Sequence, residues 1–212
     1  MTNGTESTDR LASAPELRCA SIFEAANSGV PAKSTPGESA APRVVRQLTP
    51  SDAGAYLSVR MRALRERPLA FSSLPENQPG LAETMARLAE SQERCFLGAF
   101  QDRQIIAGIV RLARYPEDEE RSHAYIAGLY VLPAFRRAGY GRSLMQAALE
   151  WARAQNLRKV NLAVVTEQEP AIRLYESLGF RTYGLERATF SRDGRTFDEY
   201  LMTREIFVGS AV

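Results

Sequence analysis

The chain holds 212 residues, 44% of them apolar and 25% charged, which suits one domain with an ordinary buried core. A formal charge of +2 excludes the strong positive field expected of a nucleic-acid-binding protein, although 25 of its 27 basic residues are arginine. Two cysteines and one histidine exclude a disulfide framework and a Cys/His metal cluster. No apolar run approaches the ~20 residues that cross a bilayer. The N-terminus lacks the basic and apolar blocks of a secretory leader, so a cytoplasmic protein without membrane, nucleic-acid or metal partners is expected.

Composition is uneven along the chain. Residues 1–42 contain 25 Ala, Ser, Thr, Pro and Gly and carry a net charge of −2. So few large apolar side chains do not offset the entropy of ordering, and the segment is expected to be a mostly disordered tail. A short helix over 16–26 is the one element it could form, and it is too short to stand alone. Residues 43–207 are expected to form the domain, with a short tail over 208–212.

From residue 43 the pattern alternates between strand-like and helix-like periods. A strand over 44–48 leads to Thr49-Pro50-Ser51-Asp52, a helix start with a capping threonine, an early proline and an acid three residues on. Leu57, Met61 and Leu64 then form one apolar stripe, ending before Pro68. A loop over 69–79, containing Phe71-Ser72-Ser73, precedes a second helix over 81–91. Strands over 94–100 and 104–114 form a hairpin, and the acidic run 117–120 is a solvated loop. A fourth strand over 124–132, a helix over 139–155 and a fifth strand over 159–165 make a β-α-β crossover. A helix over 170–178 and a hairpin over 180–190 and 197–206, turning at Asp193-Gly194, complete a mixed α/β domain.

The stretch Val131-Leu132-Pro133-Ala134-Phe135-Arg136-Arg137-Ala138-Gly139-Tyr140-Gly141-Arg142 carries the most chemistry. A buried strand ends at proline, passes a basic turn with two glycines and opens an amphipathic helix. Free N–H groups at such a helix start, together with the helix dipole, favour an anion, and nearby arginines match a phosphate. Taken alone, an ordinary strand-to-helix turn would read the same way. A Walker loop is excluded by the lack of a nearby lysine, and a dinucleotide fingerprint by Leu144 and the turn's late position.

Arg136-x-x-Gly139-x-Gly141 after Val131-x-Pro133 resembles the acetyl-CoA-binding motif of the GNAT superfamily of N-acetyltransferases. A second block about 30 residues on is similar to the family's next motif: Leu162-Ala163-Val164, then Pro170-Ala171-Ile172-Arg173-Leu174-Tyr175-Glu176-Ser177-Leu178-Gly179-Phe180. The resemblance spans Arg43 to about Phe207. It implies a mixed, mostly antiparallel sheet in which strands four and five splay apart to hold the acetyl group. It further implies CoA pyrophosphate on the backbone of Ala138, Gly139, Tyr140, Gly141, Arg142 and Ser143, with Arg136, Arg137 or Arg142 nearby. The pantetheine arm would pair with Leu129, Tyr130 and Val131, where one N–H would serve as oxyanion donor. Tyr175 matches the tyrosine that protonates the departing thiolate; read from the helix alone it is a core tyrosine.

Two positions depart from the family pattern. Gln168 stands where asparagine is frequent, and Tyr125 where many members carry a glutamate base at the start of the fourth strand. Strand alternation puts His123, Tyr125, Ala127 and Leu129 on one face, where His123 could replace the carboxylate or serve only as an edge residue. Glu76, Glu186 and Glu199 are further candidates. The base matters because a lysine-type amine is neutral about once in 2,500 at pH 7, and an α-amine about once in ten. The implied reaction is direct transfer from acetyl-CoA to a small-molecule or peptide amine in a ternary complex, by a monomer or homodimer. A non-catalytic acyl-CoA-binding module of the same fold is the alternative reading.

Overall fold

The computed structural model describes residues 44–66, 78–89, 91, 93–102, 104–115, 122–192 and 194–206. The expected N- and C-terminal tails, the helix over 16–26, the acidic run 117–120, Cys19, Phe71-Ser72-Ser73 and Glu76 lie outside these residues.

Among the described residues seven strands form one sheet: β1 Val44–Gln47, β2 Arg94–Gln101, β3 Ile105–Arg114, β4 His123–Val131, β5 Lys159–Val165, β6 Arg181–Arg192 and β7 Arg195–Glu205. The spatial order is β1-β2-β3-β4-β5-β7-β6. Every neighbouring pair is antiparallel except β4–β5. Among the described residues four α-helices cover the sheet: α1 Ala53–Arg65, α2 Leu81–Leu88, α3 Tyr140–Ala154 and α4 Glu169–Ser177. The parallel pair needs a crossover, which α3 supplies. The final hairpin folds back so that β7, not β6, pairs with β5.

Two apolar layers flank the sheet. Leu129, Val131, Leu162 and Val164 pack with Leu144, Met145 and Leu149 of α3 and with Tyr175 of α4. Phe96, Phe100, Ile109 and Tyr130 pack instead with Val59 and Leu64 of α1 and Leu88 of α2. The inward face of α1 is rotated from the expected stripe: Ala53, Val59, Arg60, Ala63 and Leu64 are buried, whereas Leu57 and Met61 are only half-buried.

The entry to α1 follows the sequence signature. The Thr49 N–H donates to Asp52 Oδ2 at 2.8 Å, and the Arg46 guanidinium donates to both carboxylate oxygens of Asp52 at 2.8 Å. Hydrogen bonding to Arg46, aided by Thr49 and opposed by partial burial, holds the Asp52 carboxyl well below the usual carboxylate range. A depressed folded pKa contributes stability above the unfolded value of about 4 and loses it as pH falls through the folded value. Asp52→Asn is therefore expected to cost about 1 kcal/mol at pH 7, a cost of helix-cap size. The difference should vanish in urea titrations carried out at strongly acidic pH, and a pH-independent cost would exclude the carboxylate as its source.

Candidate active site

The β4–β5 pairing stops early. Its register runs His123↔Lys159, Ala124↔Val160 and Tyr125↔Asn161, although β4 continues to Val131 and β5 to Val165. On its other edge β4 stays paired with β3 through Tyr130 and Val131. Residues 127–131 thus present toward β5 a strand edge with no β5 partner, and this is the splay between strands four and five.

A bulge reshapes β4 where the strands part. Arg111 pairs with Ala127 and Ile109 with Tyr130, so β4 carries one extra residue there, and Gly128 takes φ +65°. This corrects the expected alternation. Leu129 leaves the face of Tyr125 and Ala127 and joins Ala124 and Ile126 on the α3 side, while Tyr130 turns to the α1 side.

The expected anion turn opens α3. Arg137 and Gly139 both take left-handed backbone, at φ 64° and 85°. Gly139 is the N-cap, and the first intrahelical bond runs from the Ser143 N–H to the Gly139 carbonyl at 3.1 Å. Ser143 therefore spends its N–H on the helix, and the N–H groups that precede the ladder are those up to Arg142. A cavity of ≈ 280 Å³ lies against this turn, bounded by Val131, Phe135, Arg137, Arg142, Arg173 and Leu174 among others. Arg173 was not singled out from the sequence. It sits two residues before Tyr175, and its i,i+4 bond to Glu169 at 2.8 Å holds it at the rim.

The turn's arginines have different tasks. Arg136 is almost fully covered, donating to the Val131 carbonyl at 3.0 Å and to Glu66 Oε2 at 2.9 Å, with its guanidinium over the Tyr130 ring. It fastens the end of β4 to the end of α1. Arg142 donates to Ser177 Oγ at 2.8 Å and joins α3 to α4. Arg137 is exposed at the turn. Tyr140 is a core residue whose hydroxyl bonds Gln101, and Gly141 is buried in the first turn.

Tyr175 is fully buried on α4, edge-on to Phe180 at 5.9 Å, and its hydroxyl has no hydrogen-bond partner among the described residues. Burial pushes the phenol well above its usual value. Gln168 caps α4 through its backbone: its carbonyl accepts from Ala171 and Ile172 at 3.0 Å, while the residue itself is buried.

His123 lies on the closed, paired stretch of β4, five residues or about 16 Å of extended chain before Gly128. Tyr125 is buried, edge-on to Tyr115 at 5.4 Å and beneath the Arg111 guanidinium. Glu199 of β7 is 3% exposed and stands opposite Val165, at the open end of β5. By alternation it points away from the α3 layer that holds Val164 and Met202. Glu186, its neighbour across β6, is exposed.

On the α1 side of β4 a second cavity, of ≈ 150 Å³, is bounded by Arg60, Gln78, Thr84, Arg87, Arg111 and Gly128 among others. No local pattern in the sequence marks this cavity, because Arg60 falls outside the apolar stripe of Leu57, Met61 and Leu64.

The sequence matches the pattern described as the acetyltransferase (GNAT) family over residues 61–180. An uncharacterised protein of Mycobacterium leprae is 31% identical over 166 residues, 77% of this chain and 41% of that protein. The N-alpha-acetyltransferase RimI of Mycobacterium tuberculosis is 37% identical over 99 residues, 47% of this chain and 57% of that protein. The chain thus spans about half the length of these two relatives. A GNAT-family acetyltransferase structure from Streptococcus pneumoniae superposes with a TM-score of 0.71 at 26% identity, covering 78% of this chain and 100% of the other. Acetyl-CoA is the co-substrate of the family. With the splayed parallel pair, the bulged fourth strand and the glycine turn opening α3, the chain belongs to the GNAT family of acetyltransferases.

Proposed function

We propose that this chain transfers an acetyl group from acetyl-CoA directly onto an amine in a ternary complex, with an α-amine as the favoured acceptor. The observation that carries this reading is the Tyr175 hydroxyl, fully buried and without a hydrogen-bond partner among the described residues. A buried hydroxyl left unsatisfied costs about 1–3 kcal/mol, and a departing thiolate would give it an acceptor. The N–H groups before the α3 ladder, with Arg137 and Arg142, would take the pyrophosphate. The pantetheine arm would lie along the open edge of Leu129–Val131, and a backbone N–H there would polarise the thioester carbonyl.

In the chemical step the neutral amine attacks the thioester carbonyl carbon. A C–N bond forms, the C–S bond breaks, the amine's proton passes to a base, and the thiolate receives a proton. For the last role, burial keeps Tyr175 protonated but also makes it a weaker acid, so this role relies on close placement against the thiolate. A covalent thioester on the enzyme is disfavoured at Cys95, which is wholly buried and whose thiol is pushed up to about 12. For the base the reading takes Glu199, a buried carboxylate at the open end of β5, over His123 on the closed stretch. Gln168 shapes the start of α4, and Tyr125 forms the wall on which Arg111 rests. The α-amine preference accords with the name of the RimI relative and with the larger neutral fraction of such amines at pH 7.

Release of CoA thiol from acetyl-CoA over a panel of amines tests the reading. Thiol release that requires an amine supports it, whereas acetyl-CoA binding with no release by any amine favours the non-catalytic module. Glu199→Gln is expected to lower kcat by about 100-fold and remove the acidic limb of the pH–rate profile, with His123→Ala leaving that limb in place. The reverse pattern would return the role to His123.

A further inference from the structure

The second cavity, like the first, is bordered by arginines. It lies between α1 and α2 on one side and β2, β3 and β4 on the other, reaching Gly128 at the bulge. Three guanidinium groups border it, from Arg60, Arg87 and Arg111, and among the described residues that bound it none is acidic. Arg87 is held at the mouth by Glu83 at 2.6 Å, and Arg111 sits over the Tyr125 ring.

Two groups point to a ligand. Arg60 is only 9% exposed, its Nε donates to the neutral Gln78 Oε1 at 3.3 Å, and a Cβ on Gly128 would lie 3.6 Å from one of its terminal nitrogens. Its charge is therefore held against the bulge. Thr84 is 1% exposed, borders the cavity, and its hydroxyl has no hydrogen-bond partner among the described residues. A buried guanidinium and an unpartnered hydroxyl in one small cavity are a donor set that a carboxylate completes.

We infer that the acceptor is an amine bearing a carboxylate, of amino-acid type, whose carboxylate is held by Arg60, Arg111 and Thr84 beside the bulge of β4. This rests on the acyl-transfer reading above and names its substrate class. A cavity of ≈ 150 Å³ fits a small molecule or one residue's worth of chain. Its cationic border disfavours polycationic amines, because like charges brought together at low dielectric repel. Holding the carboxylate against the bulge sets the amine a few bonds away, on the sheet face toward which Glu199 points.

The test compares the proteinogenic amino acids with their carboxamides, which keep the side chain and lose the negative charge, with rates taken per neutral amine because the carboxamide amine is less basic. Thiol release with the acids should exceed that with the amides by at least about 100-fold in kcat/KM, carried mainly by KM, because the amide forfeits the charge-assisted hydrogen bonds that a carboxylate makes to a guanidinium. Thr84→Val, which removes the hydroxyl while nearly keeping the side-chain shape, should weaken the acids more than the amides, since a charged acceptor makes the stronger hydrogen bond. Arg60→Gln and Arg111→Gln should each collapse the acid-to-amide ratio. A ratio near one in the wild-type protein, or one that survives both arginine variants, overturns the assignment, as does a peptide panel acetylated efficiently whatever its terminal charge.

Binding is read separately from turnover by the shift in melting temperature with N-acetylated amino acids and their N-acetyl amides, in the presence of CoA. Stabilisation by the acids alone, without thiol release from any amine, would sustain the carboxylate site and refute the transfer reading. Equal or absent shifts refute the site.

Discussion

Tyr175→Phe is expected to lower kcat by about 100- to 1,000-fold, the range of a lost proton donor, and to leave acetyl-CoA affinity within about twofold. The same substitution should make the protein without acetyl-CoA more stable. In the folded chain the hydroxyl is buried with no partner among the described residues, so its removal relieves a desolvation cost of about 1 kcal/mol. In a domain of this size that raises the melting temperature by about 2–4 °C. The two effects have one cause, since a group kept unsatisfied until its reaction partner arrives weakens the fold while it serves the chemistry. Because burial holds the phenol well above its usual value, Tyr175 should add no limb to the pH–rate profile between about pH 6 and 9. Steady-state kinetics and a melting curve on one preparation decide the matter. Unchanged turnover would make Tyr175 a core residue, and a lower melting temperature would mean that its hydroxyl has a partner in the fold.

Local signals were legible in the sequence, and distant ones were not. The β4-α3-β5 crossover, the glycine turn and the tyrosine helix lie in two short blocks, each of which carries its pattern in consecutive residues. The glycine turn accordingly opens α3 where the motif stands, with the Ser143 N–H taken up by the ladder. Arg136 shows the limit. Its sequence neighbourhood says phosphate, but its partner Glu66 is 70 positions away, and no local pattern reveals that pairing. The cationic cavity was hidden for a related reason. A search for the apolar stripe of α1 selects Leu57, Met61 and Leu64, and therefore passes over Arg60, which faces inward because a cavity rather than packed side chains lies opposite it. Likewise Glu199 and Val165, 34 positions apart, meet only through β5–β7 pairing. The bulge was within reach, since an isolated glycine inside a strand pattern is its usual sign.

That glycine sets which residues face which half of the site. Gly128 takes φ +65°, a backbone region that costs a residue with a Cβ about 1–2 kcal/mol. Its nearest neighbour for an added Cβ is an Arg60 nitrogen at 3.6 Å, an ordinary contact, so Gly128→Ala isolates the backbone cost from crowding. The variant is expected to lose about 1–2 kcal/mol in urea titration. Gly128→Val should lose more, because a β-branched side chain is a stronger outlier at positive φ. The kinetic effect should exceed the loss of stability. Relaxing the bulge toward regular alternation would drive Leu129 and Tyr130 toward exchanged faces, shifting the edge proposed for pantetheine and the strand under Arg60. A displacement of about 1 Å at reacting groups can cost about 100-fold in rate, so kcat/KM should fall by about that factor at temperatures where the variant is fully folded. Equal stability for glycine and alanine at this position would mean that the fourth strand runs without its bulge. A stability loss with kinetics intact would mean that the bulge serves the fold and not the site.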